Sequence, residues 1–112
     1  MSGYPERQGW KGHAETGRDA ALAYAAEAKG RRAQVLTAMA DGPGTAEEIS
    51  QRIGLHWYLC RPRLSELRNL GYVMDSGSRG QGALGGKVIR WRLATSEERS
   101  AFLAQKAEAA HG

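Results

Sequence analysis

The chain has 112 residues, and its 41% hydrophobic content overstates the core, because 18 of those residues are Ala and only 28 carry larger apolar side chains. That suffices for one small domain. Mean hydropathy is -0.55, and no stretch approaches the ~20 consecutive apolar residues of a spanning helix, which excludes a helical membrane protein. The first residues, Met1 to Arg7, lack the apolar run of a secretion signal, and the single Cys60 cannot form an internal disulfide. A cytoplasmic, nucleoid-associated protein is expected.

Net charge is +4, but its placement says more than its size. Between His56 and Arg92 lie Arg61, Arg63, Arg68, Arg79, Lys87, Arg90 and Arg92 against Glu66 and Asp75, a local charge of +5, while the remainder sums to -1. One face meeting a polyanion has this pattern.

In chain order, residues 1–15 mix Gly, Pro and charge without apolar periodicity and read as an irregular arm, with Tyr4 and Trp10 as its candidate anchors. Thr16 to Asp19 is a variant capping box opening an Ala-rich helix that runs to Ala28. Gly30 interrupts this pattern, which resumes over 31–40 with Val35, Leu36 and Met39 on one side; one kinked helix and two separate helices both fit. Asp41-Gly42-Pro43-Gly44 stops it.

Thr45 to Glu48 is a full capping box before a short helix with Ala46, Ile49 and Ile53 at i, i+3 and i+7, ended by Gly54. A turn through Leu55 and His56 leads to a second helical pattern, with Cys60, Leu64, Leu67 and Leu70 on one stripe and Gly71 as the C-terminal cap. Tyr72 to Asp75 is a strand signal, 76–86 with five glycines reads as a flexible loop, and 87–93 is a second strand in which Ile89, Trp91 and Leu93 alternate with Val88, Arg90 and Arg92. Thr95 to Glu98 caps a last helix whose only large apolar side chains are Phe102 and Leu103.

Helix, helix, turn, helix, strand, Gly-rich loop, strand is the order of a winged helix-turn-helix. The expected class is mainly α with a small β-wing (α+β), a three-helix core plus a two-stranded antiparallel hairpin and extra terminal helices. Three segments follow: the arm 1–15, the winged domain 16–93, and a C-terminal helix and tail 94–112. The run Thr45-Ala-Glu-Glu-Ile49 with Ile53-Gly54-Leu55, and then Arg63 to Val73, resembles the core of many bacterial winged-helix DNA-binding domains. With Tyr4-Pro5, Gly9-Trp10-Lys11, the cap at 16–21 and Arg61-Pro62-Arg63, the chain is similar over residues 4–93 to small phage- or prophage-encoded winged-helix proteins. His56 stands where that pattern has Ser, Thr or Asn, and it is a weaker cap.

A helix turns about 100° per residue, so burying Cys60, Leu64 and Leu67 turns Tyr58, Pro62, Ser65 and Asn69 outward, with Arg61 and Arg68 on one flank and Arg63 and Glu66 toward the other. In a major groove the base-facing residues are then Tyr58, Arg61, Ser65 and Asn69, with Arg61 suited to guanine and Asn69 to adenine. Arg63, Arg68, Arg79, Lys87, Arg90 and Arg92 suit phosphates. Pro62 removes a helical hydrogen bond, so either the helix kinks there, or 56–61 is a separate turn and the recognition helix begins at Pro62.

Other motifs fail on context. Gly80-Gln-Gly82-Ala-Leu-Gly85 matches the dinucleotide fingerprint, yet a strand pattern follows it where a helix is required. His56 and Cys60 lie one turn apart, but Cys60 is on the core stripe, and three dispersed histidines with one cysteine match no metal-ligand spacing. The expectation is a sequence-specific duplex-DNA binder of phage or prophage type, a transcriptional regulator or accessory factor without enzymatic activity or cofactor. Helix 56–70 reads the major groove and wing 75–92 holds the backbone. About five phosphate contacts would give a salt slope of roughly -4 to -5. The alternative is a protein-interaction module on the same scaffold. The Ala-rich helix also admits a homodimer.

Overall fold

Residues 17–111 are described by the computed structural model, so the arm 1–15, with Tyr4 and Trp10, and the Thr16 hydroxyl fall outside the described residues. Helix α1 occupies 17–28 and α2 spans Gly30–Met39. The sequence left open one helix or two; the chain breaks at Lys29, whose φ of 57° and ψ of 177° are not helical, and at Gly30, whose φ is 76°. A positive φ at a non-glycine residue is uncommon, and here it turns the chain between the two helices. Ala21 and Ala25 of α1 are buried, and Tyr24 stacks on Tyr72 with ring centroids 4.6 Å apart.

Helix α2 is the centre of the core. Val35, Leu36 and Met39 are buried against α3 (Ala46–Ile53), α4 (Trp57–Asn69) and the second of two strands, in one cluster with Ile49, Cys60, Leu64, Leu67 and Val73. Each of these large side chains withdrawn from water contributes about 1.5–3 kcal/mol. The Thr45 box closes in both directions: Glu48 N donates to Thr45 Oγ1 at 3.1 Å and Thr45 N donates to Glu48 Oε1 at 3.0 Å. Gly54 ends α3 in the left-handed region, with φ of 72°.

Helix α4 is continuous through Pro62, so the late start at Pro62 does not occur. His56 caps it: Tyr58 N donates to His56 Nδ1 at 3.3 Å. Pro62 is exposed, so the Tyr58 carbonyl that loses its helical donor faces the solvent side, while Cys60, Leu64 and Leu67 hold the helix on the core from both sides of the proline. At the other end Tyr72 N donates to Leu67 O and Gly71 N to Arg68 O, both at 3.0 Å, with Gly71 at φ 83°. This is the paired closure typical of a C-terminal glycine.

Strands β1 (Val73–Gln81) and β2 (Lys87–Leu93) form an antiparallel hairpin. The expectation that 76–86 is loop is corrected: β1 runs on to Gln81, and only 82–86 turn. Glycines masked the strand, because its pairing is long-range. Asp75 faces Trp91 and Arg79 faces Ile89, so Ser76, Gly77 and Ser78 bulge opposite Arg90 alone. Gly44 adds an isolated bridge to β2, exchanging two backbone bonds of 3.0 and 2.8 Å with Trp91. Helix α5 (Ser96–His111) follows the Thr95–Glu98 capping box. It bonds to the end of α4, Arg99 Nε donating to Leu70 O at 3.1 Å and Lys106 Nζ to Asn69 O at 2.6 Å. Three core helices, a hairpin after the third and flanking helices make a winged helix-turn-helix.

Candidate nucleic-acid interface

The buried stripe of α4 fixes what it presents. Tyr58, Arg61, Pro62, Ser65 and Asn69 are exposed, and Tyr58 retains 59% of its accessible surface. At the start of the helix the His56 ring meets Tyr58 edge-on at 4.7 Å, and the Arg61 guanidinium lies over Trp57, 5.5 Å from the ring centre. Trp57 is half-buried and serves as a platform for Arg61. Arg61 and Ser65 share a cleft of about 340 Å³ with Arg79, Lys87 and Ile89 of the wing, walled by Glu47 and Trp91. Four of the ten residues expected to contact DNA are therefore brought to one opening.

The remaining basic residues divide by partner. Arg68 lies 5.9 Å over Trp91. Arg79 pairs with Asp75 at 3.0 Å, an exposed contact within one strand; Asp75 is held below its ordinary range chiefly by the backbone bond from Gly77 N and then by Arg79. Arg63 pairs with Glu66 at 2.8 Å, and its Nε is buried without a hydrogen-bond acceptor. Glu66 also accepts from Arg32 of α2 at 2.8 Å, chiefly through which its carboxyl is kept low. Arg90 pairs with Glu48 at 3.3 Å, the bond that most lowers Glu48. Arg92 makes two bonds of 2.8 Å to Glu98 and holds it down at about 2. Thus Arg63, Arg90 and Arg92 are tied to carboxylates of the domain itself, whereas Arg61, Arg68 and Lys87 carry no ion pair among the described residues.

Glu47 is a residue the sequence left without a role. Its Oε2 accepts from Ala83 N at 2.7 Å and pins the wing turn to the start of α3. Gly80 fits the same closeness, since a Cβ there would lie 2.6 Å from Thr45 Cγ2. Neither contact has a local signal, because the partners are more than thirty residues apart in sequence. Cys60 is fully buried and burial raises its thiol, the behaviour of a core residue. Among the described residues no three His, Cys, Asp or Glu side chains gather as metal ligands, and no helix is long and apolar enough to cross a membrane.

The fold and this exposed basic helix define the class, a winged helix-turn-helix domain. A solved structure of similar outline is the homodimeric winged helix-turn-helix DNA-binding domain of a possible ArsR-family transcriptional regulator from Mycobacterium bovis, 23% identical, with 97% of this chain and 90% of that chain covered at a TM-score of 0.46. No protein-family model and no curated protein matches the chain.

Proposed function

We propose that the chain is a sequence-specific double-stranded DNA-binding protein that lays α4 in the major groove and the wing against the adjacent backbone. The observation that carries this reading is the outward face of α4: Tyr58, Arg61, Ser65 and Asn69 stand exposed there, while Glu66, the helix's one acid, is drawn away by Arg32 and Arg63. Arg61 and Asn69 have the donor geometry for guanine and adenine edges, and Tyr58 and Ser65 supply apolar and hydroxyl contacts. Lys87, Arg68 and Arg79 are the readiest phosphate ligands, the first two without an ion pair among the described residues and the third in an exposed pair of little worth. Arg63, Arg90 and Arg92 reach phosphate only by exchanging an acid for it. The resemblance of the sequence to phage- and prophage-encoded winged-helix proteins supports a transcriptional regulator or accessory factor of that type, acting in the cytoplasm. Exposed Ala23, Ala26 and Ala28 on α1 leave room for a second copy.

The test is a mobility shift with random duplex DNA, followed by a salt titration and selection from a random library. Three phosphate contacts give a slope of about -3, in place of the -4 to -5 expected from charge counting alone. A slope near zero, or no enriched motif, overturns direct sequence reading.

A further inference from the structure

Leu84 is the most exposed large apolar side chain among the described residues, at 87% of its full surface. It sits at the tip of the wing between Ala83 and Gly85, and that tip is built rather than loose. Gly82 N donates to Gly86 O at 2.7 Å, Gly85 N to Gly82 O at 3.1 Å, and Gln81 Nε2 to Gly85 O at 2.9 Å. The Glu47 carboxylate fastens the neighbouring Ala83 N to α3. Holding a leucine out in water on a braced turn gains nothing for folding, because about 1.5–3 kcal/mol of burial is forgone. The same turn places Lys87 at the root of the tip, in the cleft that Arg79 and Arg61 line. An apolar point with cations behind it complements a groove whose walls are phosphates and whose floor is stacked bases.

Resting on the DNA-binding reading above, we infer that Leu84 is a wedge that enters the minor groove next to the site read by α4 and parts a base step, kinking the duplex. Apolar side chains that enter in this way unstack one step and bend DNA away from themselves, and flexible pyrimidine–purine steps yield most readily. The wing thereby adds a preference for deformable sequence at positions where it makes no hydrogen bond to a base.

Ligase-catalysed closure of short duplexes, about 100 bp and so below the persistence length, reads the kink without a known operator. The protein is expected to raise the closure rate about tenfold or more, which corresponds to about 1.4 kcal/mol of bending energy. Leu84→Ser is expected to abolish this gain while lowering affinity only about two- to fivefold; Leu84→Phe retains it, and melting temperatures of all three proteins coincide because the residue is 87% exposed. Closure by Leu84→Ser equal to that of the unsubstituted protein overturns the wedge, as does tight DNA binding by the unsubstituted protein with no closure. Absence of binding in the accompanying mobility shift instead removes the DNA-binding reading itself.

Discussion

Helix α4 and the wing carry the basic excess together, yet they hold it differently. The helix is anchored by Cys60, Leu64 and Leu67, all fully buried, so Arg61 and Arg68 are not needed to keep it in place. In the wing Val73 is the one fully buried large side chain, Trp91 and Leu93 pack half-buried on the core, and much of the remaining hold is polar: Arg90 with Glu48, Arg92 with Glu98, and Ala83 N on Glu47. Apolar anchoring leaves charge available for a partner, whereas ionic anchoring occupies it. A count of arginines therefore overstates the charge that the wing leaves for an anionic partner.

The largest effect that probes this contrast is Leu67→Ala, expected to cost about 2–5 kcal/mol in chemical denaturation because the cavity lies under α4 at the centre of the core. A loss below about 1 kcal/mol would show that the helix is not held by burial. Arg61→Ala comes next: binding to the selected sequence should weaken by about 1–3 kcal/mol, with little change on random DNA, and equal losses on both would deny it a base contact. Glu48→Gln is smaller and more telling. Gln can still accept from Thr45 N, so the cap survives, but Arg90 is released; the salt slope should steepen by about one if Arg90 then meets a phosphate. An unchanged slope would mean that Arg90 serves the wing alone.

Acid weakens the ionic hold on the wing. Glu98 is held at about 2, below its ordinary 4.5, chiefly by Arg92. A lowered folded value stabilises the protein above about 4.5, and the contribution is lost as pH falls from 4.5 toward 2. Glu48, Glu66 and Asp75 are lowered too and act with the same sign. These pairs are partly solvated, so each effect is modest. Thermal melts between pH 6 and 3 should decline less steeply in Glu98→Gln than in the unsubstituted protein, and parallel curves would contradict the pairing.

Local chemistry made much of this legible. The two Thr–Glu capping boxes, Gly54, Gly71 and the Cys60–Leu64–Leu67 stripe each act within a few residues, and each stands where the pattern puts it. The outward face of α4 follows from the same stripe. What could not be read was pairing at a distance: the strand through Ser76 to Gln81, the Gly44–Trp91 bridge, and the carboxylates that claim Arg90 and Arg92. Charge in a sequence has a sign and a position but no partner. Pro62 left the start of α4 open in the sequence, and the helix runs through it, an exposed proline between the buried Cys60 and Leu64 being tolerated.

The contacts of α5 with α4 reach further than their number implies. Arg99 and Lys106 close the Leu70 and Asn69 carbonyls, the free acceptors at the far end of the helix whose side chains face outward. Two positive groups at that end oppose the helix dipole's negative pole. The terminal helix is thus a brace on the C-terminal end of α4, reaching it through backbone carbonyls rather than through the core.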